Sequence, residues 1–338
     1  MQKISILLLS LAALLSANTV TIKLPKVPKP TTDIPKVVVI DPNNENYKSN
    51  EEILKEYSQE KVVTFSDHVA PDTSEVKDST EKIALVGDIK NGLVPAYLHA
   101  PYMDSDKVKS ILENAGFEIL TTYKVDKKGH VESIVFTDAD IAKSASKKGR
   151  GFAGALRVTI DKKDKLISIT NPIYTMAAFM QNEYDEKLAN KTLLKLREAF
   201  KDIKNSQEMS KFRILERYQF MAGMPKYQDM QVIKKGDSAK LLETAKKSKK
   251  VVYEQHLPDG SVIIGVKLSK RTSKFIKKTG YQNAGLLPYP VLIENGEAKI
   301  LDPKYYIAIM YPMLKMSQFM KIATVPGAIG KDVDRVFR

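Results

Sequence analysis

Two short basic turns hold the residues in this chain best suited to chemistry. At Lys147-Lys148-Gly149-Arg150-Gly151, two glycines lie among three cations. Glycine lets neighbouring backbone amides point the same way, and such a nest beside Lys and Arg can grip an anion. Lys277-Lys278-Thr279-Gly280 offers a second turn of the same kind. The spacing Gly149-x-Gly151-x-x-Gly154 also matches a dinucleotide fingerprint, which needs a strand before it and a helix after it. Here 138–148 is a polar, helix-forming stretch and a strand follows, so a Rossmann site does not fit. The plain alternative for both turns is a helix end, where Lys favours the carbonyl-rich terminus and Gly closes it.

Other candidates are weaker. Thr137-Asp138-Ala139-Asp140 follows an apolar run, the context in which paired aspartates hold a hard cation; capping of the next helix by Asp138 explains it as well. Met310, Met313, Met316 and Met320 are expected on one side of a helix broken at Pro312, and thioethers suit Cu(I). With no His or Cys beside them, Met as a filler of irregular cores is the simpler account. Tyr174, Tyr305 and Tyr306 sit near two equivalent helix starts and could line a cleft. The four histidines, His68, His99, His130 and His256, lack metal-ligand spacing. No nucleophile elbow or zinc motif occurs, and no cofactor is expected.

The elements that position these residues come twice. Ile111-Leu112-Glu113-Asn114-Ala115 returns as Leu241-Leu242-Glu243-Thr244-Ala245, and Tyr123 returns as Tyr253. In the same register Lys147-Lys148 returns as Lys277-Lys278, Ala153-Gly154 as Ala284-Gly285, and Asn171-Pro172-Ile173-Tyr174 as Asp302-Pro303-Lys304-Tyr305. Such internal similarity predicts two like units about a pseudo-two-fold axis, with a cleft between them. Asn171 and Asp302 are preferred N-caps, with Pro at the first helical position, so helices should begin there. The runs after them, 173–180 and 305–311, are apolar nearly all round and should be deeply buried. Val108, Ile111, Leu112 and Ala115 form one helical stripe, with Asp104 or Ser105 as its cap and Gly116 at its end. Strands are expected at 83–86, 94–98, 118–125, 131–136, 156–160 and 166–169, and again at 251–254, 262–266, 291–294 and 297–301. Ala189, Leu193, Leu196, Phe200 and Ile203 predict a connecting helix. The fold class is therefore α+β: two similar units from internal duplication, each a small, mainly antiparallel sheet packed with helices.

Residues 1–17 read as a signal peptide, with Lys3, an apolar stretch at 4–15, and Leu15-Ser16-Ala17 resembling a small-residue cleavage site. That stretch is shorter than the roughly 20 residues a membrane-spanning helix needs. Residues 18–80 form a Pro/Lys-rich tether, followed by units at 81–208 and 209–338. The absence of Cys excludes disulfides, thiolate catalysis, cysteine-ligated zinc and iron–sulfur clusters. The formal net charge of +14 favours anionic partners, and in a periplasmic or secreted setting these are envelope components, lipid headgroups or acidic proteins. Nucleic acid is not expected, since Trp is absent and no aromatic-basic platform occurs.

The segment Gly285-Leu286-Leu287-Pro288-Tyr289-Pro290-Val291-Leu292-Ile293-Glu294 resembles bacterial domain-of-unknown-function family 302. That family has a similar Gly-Leu-Leu-Pro approach to a Val-rich strand, and an Asn-Pro helix start similar to 167–174. A helix ending before Gly116-Phe117 also fits. The family commonly carries Cys where this chain has Thr170 and Tyr289, so whatever those cysteines do is lost here. The resemblance implies a small α/β fold and no established activity. The leading expectation is an exported cell-envelope binding or accessory protein that engages an anionic ligand or surface through the basic turns. The alternatives are an enzyme whose inter-unit cleft uses Asp138, Asp140 or the tyrosines, and a Met-based Cu(I) handler; Tyr305 to Met320 could also touch a membrane surface.

Overall fold

The Asn-Pro and Asp-Pro signals start helices, as their capping chemistry requires. Asn171 accepts a hydrogen bond from the Ile173 amide at 3.1 Å, and Asp302 accepts one from the Lys304 amide at 2.8 Å. The computed structural model describes residues 85–338, all within one compact unit. The expectations for 1–17 and 18–80 lie outside the described residues.

The first half runs β1 (Leu93–Pro95), β2 (Tyr97–Pro101), α1 (Ser105–Asn114), β3 (Glu118–Lys124), β4 (Val131–Thr137), α2 (Ala139–Ala145), β5 (Leu156–Asp161), β6 (Leu166–Thr170) and α3 (Pro172–Met180). A connecting stretch holds α4 (Glu186–Ala199), β7 (Lys204–Asn205) and β8 (Met209–Lys211). The second half runs β9 (Gln231–Lys235), α5 (Ser238–Lys247), β10 (Val251–His256), β11 (Val262–Val266), α6 (Ile276–Thr279), β12 (Tyr289–Glu294), β13 (Glu297–Ile300) and α7 (Pro303–Met310). Then α8 (Met316–Met320) and α9 (Val325–Asp334) complete the described helices.

From β2 and from β9 onward, the order of elements is the same. So is the order of strands. The first sheet is β3-β4-β5-β6-β2, with β7 added at its edge, and the second is β10-β11-β12-β13-β9; neighbours are antiparallel throughout. The α+β architecture with two like sheets is thus present.

Each sheet buries an apolar outer face. In the first, Leu98, Ile134, Phe136, Val158 and Ile169 share a core with Val108 and Leu112 of α1 and Leu193 and Leu196 of α4, all fully buried. In the second, Ile264, Val291 and Ile293 pack with Leu241 and Ala245 of α5. Burial of each such side chain contributes about 1.5–3 kcal/mol, and this holds the helices in place. Asp104 caps α1 by accepting from the Lys107 amide at 2.8 Å, and Gly116 takes φ +79° just past its end. The connecting helix stops at Ala199, short of the expected Ile203; Phe200 turns extended yet remains buried. Of the expected strand at 83–86, Leu85 and Val86 lie in a turn closed by the Asp88 amide on the Leu85 carbonyl.

The inner faces of the two sheets are covered reciprocally. The turn Gly151–Ala153 of the first half lies on β11 and β12, while Tyr281–Leu286 of the second lies on β4, β5 and β6. Close approach requires glycine. A Cβ on Gly151 would sit 2.8 Å from Leu292 Cδ1, and one on Gly285 would sit 3.2 Å from the Tyr97 ring. The final helices complete the exchange. The Tyr174 hydroxyl donates to the Ile309 carbonyl at 2.6 Å, and the equivalent Tyr305 hydroxyl donates to the Ala178 carbonyl at 3.4 Å. Each residue of that pair meets the other's counterpart, which is the signature of a two-fold contact.

Candidate functional site

Among the described residues the halves meet through buried side chains where the sequence predicts a cleft. Tyr174 and Tyr305 are fully buried and satisfied by helix carbonyls, with burial holding both phenols well above their ordinary pKa. They bind the halves together and line no pocket. The surface grooves lie within single halves. One of about 350 Å³ is bordered by Ile111, Ala115 and Lys195; another of about 400 Å³ lies between β9 and α9, beside Lys304 and Lys331.

The first basic turn already holds an anion, the protein's own. Gly149, at φ +72°, donates its amide to Glu294 Oε1 at 2.7 Å, and Lys299 clasps the other carboxylate oxygen at 2.8 Å. Lys147 pairs with Glu183 at 2.5 Å, and that contact lowers the Glu183 pKa. Arg150 donates to Asn182 at 2.9 Å and stacks over the Tyr227 ring at 5.3 Å. Only Lys148 of this group is left exposed without a partner among the described residues, and Gly151 serves packing instead. At the second turn, Lys277 is exposed, Lys278 donates to the Lys321 carbonyl at 2.8 Å, and Gly280 at φ +88° ends α6. The two turns have separate partners, so they do not face a shared ligand.

The remaining candidates resolve locally. Asp138 caps α2 through the Ile141 amide at 2.8 Å and pairs with Lys195; Asp140 pairs with Lys191. Among the described residues, no group of three or more His, Cys, Asp or Glu side chains is placed to hold a metal. The methionines do not share a side. Met310 is buried at the end of α7 against Gly285, whereas Met320 is 63% exposed on the separate helix α8. Pro312 divides them more completely than a kink would.

Two features stand out that the sequence reading did not single out. The first is an inner layer of polar groups on the first sheet: Ser133, Arg157, Thr159, Ser168 and Thr170 are all buried. Arg157 is 2% exposed. Its guanidinium reaches the Ala155 carbonyl and the Tyr253 hydroxyl only at 3.5 Å, and its Nε has no partner. Arginine cannot shed its proton, so this is a buried positive charge with no carboxylate paired to it among the described residues.

The second feature is a basic end on the second half. Lys246, Lys247, Lys249 and Lys250 lie where α5 gives way to β10. Lys267, Lys270, Arg271 and Lys274 follow β11 at the same end of the sheet, joined to the first group by the Lys267 amide donating to the Lys250 carbonyl at 2.8 Å. All eight are exposed, and among the described residues only Lys246 and Lys247 pair with acids, Glu254 and Glu243. The link from Lys278 to Lys321 brings the exposed Met320 toward the same region. The density of Lys and Arg from 246 to 278 was the available signal; its gathering at one end depends on the antiparallel pairing of β10 and β11.

Comparison with protein-family models, curated proteins and solved structures finds no match to this chain. The resemblance to domain-of-unknown-function family 302 therefore brings no activity with it.

Proposed function

We propose that this chain is an exported, non-enzymatic cell-envelope binding or accessory protein, and that it engages an anionic surface electrostatically through the basic end of its second half. The observation that carries this reading is the set of eight exposed cations around 246–250 and 267–274, six of them without an acidic partner among the described residues. Like charges gathered without compensation raise the local potential and draw in anionic surfaces over about a Debye length, roughly 10 Å at 0.1 M salt. The basic turn at 147–151 contributes little, because Glu183 pairs with Lys147 and Glu294 fills the Gly149 amide, which leaves Lys148 as its one exposed lysine without a partner among the described residues. Lys277 and Lys278 border the basic end and strengthen its field.

The test is co-sedimentation with isolated envelopes at low and high salt. K267E/K270E/R271E should abolish low-salt retention, and K147E/K148E should leave most of it intact. Equal loss in both variants would point to overall charge as the cause. Undiminished retention of the first variant would refute the reading.

A further inference from the structure

The buried guanidinium poses a physical problem that the surface reading leaves unsolved. Removing a charge from water is expensive unless an opposite charge and hydrogen bonds meet it. Among the described residues no carboxylate is paired with Arg157; the buried Glu208, which couples to the neighbouring Tyr97, accepts from Gln282 instead. Asp161 accepts from the amides of Lys163 and Asp164, Glu132 accepts from Ser105 and Lys162, and Glu294 holds Gly149 and Lys299.

What surrounds Arg157 is hydroxyl. Tyr253, Tyr306 and Tyr97 lie near enough to couple electrically to it, and the Tyr306 hydroxyl is buried without a partner. Burial raises the pKa of all three phenols, that of Tyr306 to about 12, so at neutral pH each is a neutral O–H donor. The site thus combines an unpartnered N–H, a fixed positive charge and an unpartnered O–H. Donors alone would suit a water oxygen as well, but the uncompensated buried positive charge favours an anion. Its size is limited by close packing. Tyr306 meets Tyr289 ring to ring at 5.3 Å, and Tyr253 covers Gly265 so closely that a Cβ there would lie 2.1 Å from the ring.

We propose that Arg157, with Tyr306 and Tyr253, binds a small monovalent anion of the chloride type between the two halves. The Arg157 Nε–H and the Tyr306 hydroxyl donate to it, and Tyr253 completes the cage from the second half. An organic acid is too large to enter without parting the sheets. The site is independent of the basic end, and either can fail without the other.

The experiment compares thermal stability in sodium chloride and sodium gluconate at matched ionic strength, together with bromide-soaked crystals. The wild type should gain stability saturably with chloride, and an anomalous bromide peak should lie beside Arg157. Y306F should weaken the chloride response about tenfold, since it removes one hydrogen bond to a charged partner. R157M should abolish it; should that variant fail to fold, Y306F and the bromide map decide alone. Equal stability in both salts, or an adventitious ion only, with bromide confined to surface lysines, overturns the proposal.

Discussion

The two halves follow one chain path but spend their inner faces differently. The hairpin partners Asp161↔Leu166 and Glu294↔Glu297 set the correspondence, which places Arg157 opposite Pro290 in the comparison and Thr159 opposite Leu292. Across the sheet, Ser133 corresponds to Ile263. The first half thus presents hydroxyls and a guanidinium where the second presents apolar side chains. At the end of the sheets the contrast reverses. Glu118, Asp138 and Asp140 lie at that end of the first half, and Lys191 and Lys195 of α4 pair with the two aspartates. The second half leaves Lys267, Lys270 and Arg271 exposed. On the same chain path, then, the first half places its polar groups on the inner face of its sheet, and the second gathers unpaired cations at one end of its own.

The largest expected break in the symmetry is at the helix caps. Beyond capping α3, Asn171 donates its side-chain amide to the carbonyls of Gly87 and Pro95 at 2.9 and 2.8 Å, and it is fully buried. N171A should cost about 3 kcal/mol, against about 1–2 kcal/mol for D302A, whose buried side chain caps its helix and accepts one further bond, from Gln231. Equal values in denaturant titrations would show that those two carbonyl bonds contribute nothing. Next come the hydroxyls that join the halves. Y174F loses a 2.6 Å bond and leaves the Ile309 carbonyl buried alone, for about 2 kcal/mol; Y305F loses only a 3.4 Å contact and should cost less. If the order is reversed in chemical unfolding, the two helix contacts are not related as described.

The crossing glycines give a finer comparison. G151A must displace Leu292 and Ile263, whereas G285A presses more gently on Tyr97 and Thr170. G151A should cost about 1–2 kcal/mol and G285A about half that, read from the same titrations.

The smallest effect concerns pH. His99 has no titrating counterpart, since the pairings His99↔Ser168 and Val232↔Lys299 place Val232 at its position. Burial lowers the His99 pKa from 6.5, against an opposing pull from Glu208. The unfolded chain then binds the proton more readily than the folded one. Stability should be full above pH 6.5 and fall as the pH drops through the lower folded value. H99Q should flatten that part of a melting-temperature profile; an unchanged slope would assign it to other groups.

The sequence was most legible where structure is local. Asn171-Pro172 and Asp302-Pro303 could be read because a cap needs only neighbouring residues. The strand β9 was missed because Gln231–Lys235 is mostly exposed and lacks an apolar face. The buried inner layer was not legible, for the opposite reason. Leu156-Arg157-Val158-Thr159-Ile160 alternates as a half-solvated strand does, yet segment 281–286, far along the chain, covers its polar face. The clue lay in the other copy. Tyr289–Glu294 does not alternate, and a strand apolar on both sides is buried on both sides.

The pairing of Tyr174 with Ile309 and of Tyr305 with Ala178 has a consequence for assembly. A surface that matches its own repeat will also match the repeat in a neighbouring molecule. Shortening the stretch between α3 and β9 until one chain can no longer close on itself should yield intertwined dimers, each second half docked onto its neighbour's first. At high concentration during refolding, even the unaltered chain would have this route open to it.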